Sequence, residues 1–143
     1  MTSCDVLLAT GYFIDNEFLH KYCCIIDRHR VRKYVRGKTN RHHILPRAYF
    51  KITHQSVNND PTNLVDLPYR EHALCHYYLC LCTKDPLKYA NELALMCLIS
   101  RKKMSVVDKQ LVESLPQYSQ IYADYINKKR TGYQLYLEDI NDN

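Results

Sequence analysis

Four of the seven histidines of this chain fall in two tight groups, and both groups are of a kind that can hold or move charge. His72 and His76 stand four residues apart in a segment with helical periodicity. That spacing stacks both imidazoles on one helix face, a turn apart, where they can share a metal ion. Taken alone, such a pair is equally the pattern of ordinary surface or core histidines. His42 and His43 are adjacent in a short stretch read as extended. Successive strand residues point to opposite sides, so the two rings cannot easily serve one ion together. A division of labour follows, with one ring ligating and the other free to act as a base. Asn63 lies between the groups, just after the Asp60-Pro61 turn. Its amide can bridge backbone groups across a hairpin loop, or it can satisfy its own turn.

The elements that must position these residues are legible from periodicity and breakers. Asp15 reads as an N-cap and Glu17 as a favourable first-turn acid for a helix over residues 16 to 32. Residues 41 to 45 read as extended, ending at Pro46. Residues 47 to 59 read as a loop, closed by the turn Asn58-Asn59-Asp60-Pro61. Leu64 to Leu67 alternates as a brief strand, stopped by Pro68. Tyr69 to Cys82 is predicted helical, with Leu74, Tyr77, Tyr78 and Leu81 as its apolar stripe. Pro86 opens a helix to about Ile99. Two more helices are predicted, over residues 105 to 115 and from Pro116 to Arg130. The expected fold class is α+β, mostly α, with a short β-hairpin and the following helix packed among other helices. The expected organisation is a basic N-terminal helical segment (1–38), a core (39–83), C-terminal helices (84–131) and a frayed acidic tail (132–143).

Composition narrows the function. With 143 residues, 46% of them hydrophobic, one compact domain is expected. Three glycines leave no Gly-rich phosphate cradle, which sets aside a P-loop nucleotide enzyme. No apolar run approaches the roughly 20 residues that span a bilayer. The N-terminal residues lack a signal-peptide pattern. Seven cysteines, with no Cys-x-x-Cys, do not form a disulfide framework. The expectation is a cytoplasmic protein with reduced thiols and no membrane partner. Charge is concentrated: between Lys21 and Lys51 there are ten Lys or Arg against the single acid Asp27, a net of +9 in a chain whose total is +5. A basic zone leading into a histidine cluster is the footprint of a polyanion partner, although a charge run is also what a solvated helix face looks like.

Three ordered strings then carry a resemblance: Arg41-His42-His43-Ile44-Leu45-Pro46-Arg47, Asn59-Asp60-Pro61-Thr62-Asn63-Leu64-Val65-Asp66-Leu67, and Arg70-Glu71-His72-Ala73-Leu74-Cys75-His76-Tyr77-Tyr78-Leu79. Over roughly residues 40 to 80 the chain resembles the HNH endonuclease family, and most of all its small phage-type members. The resemblance implies a ββα-metal core. It implies that His42, His72 and His76 bind the metal, that His43 is the general base and that Asn63 orients the hairpin and the base. It implies a DNA substrate cut by in-line attack of water, giving a 5′ phosphate and a 3′ hydroxyl, and, for a phage-encoded chain, action in the host cytoplasm. Two departures stand out. Asn40 occupies a place where many relatives carry Glu, and the longer Tyr49–Asn59 stretch, without Gly, replaces a Gly-rich turn.

One divalent metal is the expected cofactor. Imidazole nitrogens favour Zn²⁺ or Ni²⁺ in affinity, whereas phosphodiester hydrolysis commonly uses Mg²⁺ or Mn²⁺. Arg41, Arg47 and Arg70 flank the histidines as candidates for a substrate phosphate. Glu71 is a candidate to orient a ligand histidine, against the plainer reading of an exposed helix Glu. Lys128, Lys129 and Arg130 are candidates for a second backbone-tracking surface. Three alternatives remain open. They are a zinc-stabilised, non-catalytic nucleic-acid-binding module, with Cys75, Cys80 or Cys82 closing the site; a degraded nuclease acting as an interaction protein; and RNA in place of DNA. A monomer or a homodimer fits the sequence equally.

Overall fold

The computed structural model describes residues 2–34 and 37–132. Position 36 of the basic zone and all of the acidic tail beyond Gly132 lie outside the described residues. The chain is α+β and mostly helical: α1 (Ser3–Leu8), α2 (Glu17–Arg30), β1 (Thr39–His43), α3 (Arg47–Ile52), β2 (Leu64–Pro68), α4 (Tyr69–Cys82), α5 (Leu87–Ile99), α6 (Val106–Glu113) and α7 (Tyr118–Arg130). Among the described residues, no helix is long and apolar enough to cross a membrane.

Helix α4 is the axis. Ala73, Cys75, Tyr77, Leu79, Cys80 and Cys82 are all buried, so it is apolar on more than one face, as a helix enclosed by others must be. One side joins Leu19, Tyr22 and Ile26 of α2, Val65 and Leu67 of β2 and Leu87 of α5. The other joins Leu95 and Leu98 of α5, Val112 of α6 and Ile121 of α7. The N-terminal segment clamps its C-terminal end. Ile14 N donates to the Cys82 carbonyl, Lys84 N donates to the Tyr12 carbonyl, and the Asn16 amide donates to the Leu81 carbonyl at 3.0 Å.

Strands β1 and β2 pair antiparallel, with His42 opposite Val65 and His43 opposite Leu64. Pro68 ends β2 and precedes the first residue of α4, so strand and helix follow each other without a loop. His42 of β1 is thereby set over His72 and His76 in the first two turns of α4.

Several boundaries differ from expectation, each for a physical reason. Asn16, not Asp15, caps α2: its side chain accepts from Phe18 N and Leu19 N, while Asp15 pairs with His20. Ile44 and Leu45 lie beyond the strand, because Ile44 N and Leu45 N turn to bond Asn63. Within residues 47–59, expected to be loop, α3 forms. Ala48 and Phe50 are buried, the Thr53 hydroxyl donates to the Tyr49 carbonyl, and a left-handed His54 (φ 58°) ends the helix. Helix α1, absent from the sequence reading, is secured by a capping box between Thr2 and Asp5. Lys128 is not available to track a nucleic-acid backbone, since its ammonium is held by Asp85 at 3.0 Å and by the buried Glu92 at 2.7 Å.

Leu79 is fully buried at the α4 face shared with α2 and the strands. Leu79→Ala is expected to destabilise the protein by about 2–5 kcal/mol, read as a lower urea midpoint with little change in m-value.

Candidate metal centre

His42, His72 and His76 converge. The ligand atoms offered by the three rings lie within 4.8 Å of one another, and the ring centroids are 5.1–5.2 Å apart. The three could hold a metal ion. His42 is 2% exposed and comes from β1, whereas His72 and His76 come from one face of α4.

The hydrogen bonds of the rings determine which nitrogens are free. The Tyr22 hydroxyl donates its one proton to the Ile44 carbonyl at 2.6 Å, so towards His42 Nε2, 2.8 Å away, it acts as acceptor. His42 therefore carries its proton on Nε2 and presents the lone pair of Nδ1. The Asn40 Oδ1 faces His72 Nδ1 at 3.1 Å, and the Asn91 Oδ1 faces His76 Nδ1 at 3.0 Å. An amide oxygen only accepts, so both rings are protonated on Nδ1 and present Nε2. The Asn91 amide is oriented in turn, because its Nδ2 donates to the Leu87 carbonyl. Each ring is thus fixed in tautomer by a neutral partner, as metal-binding histidines commonly are.

Protonation is disfavoured at all three. Burial, then the charges of His76, His72 and His43, pushes His42 well below the ordinary 6.5. Burial, then His76 and Arg101, lowers His72 to about 3. Burial lowers His76 to about 4, against the opposing bond from Asn91 and with help from Arg101. The lone pairs that a cation needs are present at neutral pH.

His43 points the other way along the strand, as alternation requires. Its Nε2 lies 2.8 Å from the Asn59 Oδ1, so Nε2 carries the proton and Nδ1 is the basic nitrogen. Among the described residues no hydrogen bond joins the Asn63 side chain to His43. It accepts from Leu45 N at 2.8 Å and donates to the Leu45 and Asn58 carbonyls, which pins the chain next to Asn59. Its hold on His43 runs through the backbone and Asn59.

The histidines open into a cleft of about 400 Å³, lined also by His43, Arg41, Arg47, Lys51 and Arg101. Arg41 approaches Asp66 at 3.8 Å across the hairpin. Arg70 lies outside the cleft lining, its Nε donating to Asp108 at 2.7 Å. Among the described residues no hydrogen bond joins the Glu71 carboxylate to His42, His72 or His76, whose partners are Tyr22, Asn40 and Asn91. Cys75, Cys80 and Cys82 are buried in the core, and among the described residues none joins the metal-ligating group. Tyr22, Asn59, Asn91 and Arg101 were missed from sequence. Their spacing from the histidines follows no helical or strand period, and only the packing of α2 and α5 against the hairpin and α4 brings Tyr22 and Asn91 into place.

No family model, curated protein or solved structure matches this chain.

Two outcomes are expected. Asn40→Ala and Asn91→Ala should each weaken Zn²⁺ or Co²⁺ affinity about 10- to 100-fold in chelator competition, while His76→Ala removes tight binding. Stability of the metal-free protein should also depend on pH with a fixed sign. The three folded-state values lie below the ordinary 6.5, so beneath that pH the unfolded chain binds more protons than the folded one. The urea midpoint in EDTA should be highest above pH 6.5 and fall as the pH drops towards 4. A midpoint that rises over that interval contradicts the assignment.

Proposed function

We propose that this protein is a metal-dependent endonuclease of the HNH type that hydrolyses phosphodiester bonds of DNA. The observation that carries the reading is the pairing of three imidazoles around one point with a fourth, His43, in the same cleft but outside the ligand set. Three protein ligands leave a coordination position open, the arrangement of a catalytic rather than a structural site. No buried cysteine supplies a fourth ligand, which weighs against a closed zinc module. The order of the three motif strings, and an antiparallel strand pair followed directly by α4, support the ββα-metal reading, with α3 inserted between the strands.

A divalent cation held by His42, His72 and His76 would polarise the phosphate and stabilise the leaving 3′ oxygen. Zn²⁺, Ni²⁺, Mg²⁺ and Mn²⁺ are the candidates, with the all-nitrogen set favouring the first two in affinity. The residues of the chain do the rest. His43 Nδ1 takes the proton of the attacking water. Asn59 holds the opposite nitrogen of that ring and so keeps Nδ1 available. Asn63 keeps the loop that carries Asn59 closed. Arg47 and Arg101 offer guanidinium groups to phosphate oxygens, and among the described residues no acid lines the cleft to repel a polyanion.

Supercoiled plasmid incubated with Mg²⁺, Mn²⁺, Ni²⁺ or Zn²⁺ should be converted first to nicked circle, since one metal and one base make one cut per visit. EDTA should abolish the reaction. His43→Ala should slow cleavage about 100- to 10,000-fold while metal and DNA binding persist. Cleavage undiminished in that variant would remove His43 from the chemistry, and no cleavage by the parent protein with any of the four metals would sink the nuclease reading.

A further inference from the structure

A second cavity, of about 320 Å³, adjoins the first, and Arg101 lines both. Its walls include Asn40, Tyr69, Leu98, Lys102 and Lys103. Asn40 is also the residue that holds His72, so the two spaces share a wall at the metal centre. Among the described residues, this cavity, like the first, has no acid in its lining.

The basic rim is a built feature. After α5 the chain makes a tight turn in which Met104 N donates back to the Arg101 carbonyl. Met104 is buried in the core formed by Leu98, Val112 and Ile121, and anchors the turn. Lys102 and Lys103 occupy the two central positions of that turn and are exposed, as is Arg101. No carboxylate lies within ion-pair distance of any of the three among the described residues, whereas Arg70 and Lys128 are both paired. Three consecutive cations held beside a cleft without counter-charges suit a ligand with successive negative charges. Leu98 and Tyr69, which line the same cavity, are apolar and aromatic, suited to the sugar and base between two phosphates.

We propose that the Arg101–Met104 turn is a phosphate-tracking subsite: a DNA strand crossing the histidine cleft passes Arg101 and continues into the second cavity, where Lys102 and Lys103 hold the phosphates that follow. The identity of the ligand rests on the nuclease reading, but the surface can be tested without cleavage. Binding of a short fluorescein-labelled DNA duplex in EDTA is measured by anisotropy over a range of salt concentrations. R101Q is expected to weaken binding several-fold and to lower the slope of log K against log salt by about one. K102Q/K103Q is expected to lower it by about two. K84Q, an exposed lysine lining neither cavity, should leave the slope unchanged. Unchanged slopes in the turn variants overturn the subsite, as does an equal loss in K84Q, which would mark bulk charge alone. Plasmid cleavage by the parent protein is scored separately. Nicking with an unaltered slope removes only the subsite, and altered slopes without nicking remove only the nuclease reading.

Discussion

The hydroxyl of Tyr22 has one proton, and the fold commits it to the Ile44 carbonyl. From that single donation the tautomer of His42 follows, and with it the direction of the lone pair that faces His72 and His76. The same bond ties α2 to the end of β1 at the point where the strand leaves the ladder. Tyr22 is fully buried, and burial, reinforced by the neighbouring thiols, keeps its hydroxyl far from ionising. The orientation is therefore set by the core and is indifferent to solvent. Asn40 and Asn91 repeat the device at the other two rings, from a strand and from a separate helix.

All three partners are uncharged. A carboxylate behind a ligand histidine would return negative charge to a bound cation, and an amide or a hydroxyl does not. The charged group nearest in influence, Arg101, is positive and further depresses proton binding at His72 and His76. Asn40 fits that pattern: it accepts from the His72 N–H and adds no charge.

The sequence displayed the parts of this arrangement that repeat with a period or end at a breaker. Helix α4 was readable to the residue, from Tyr69 after Pro68 to Cys82, β2 to within one residue, and the pairing of His72 with His76 on one face from their spacing. Helix α3 was not, because six residues give no helical period and its support comes from burial of Phe50 and a cap at Thr53. The partners of the rings were invisible for a different reason. Tyr22 lies 20 residues from His42, and Asn91 lies 15 from His76. Such pairs exist only once helices pack. Charge was legible in sum but not in use. Arg70 and Lys128 read as available cations and are neutralised by Asp108, Asp85 and Glu92, whereas the cations lining the second cavity sit outside the basic zone that drew the eye.

The excursion between the two strands also governs when the centre can exist. Residues 44 to 63 must be closed into a loop before β1 and β2 can pair, and a two-stranded ribbon gains little by itself. Helices α4 and α5, joined only by residues 83 to 86 and packed together, have the cheaper contacts to make first. Ordering by closure entropy thus makes the hairpin a late arrival on a preformed helical bed, and the Nδ1 of His42 reaches the others only when that bed is complete. A chain still folding presents two imidazoles on α4 without the third, so ion capture at this site would be coupled to completion of the fold.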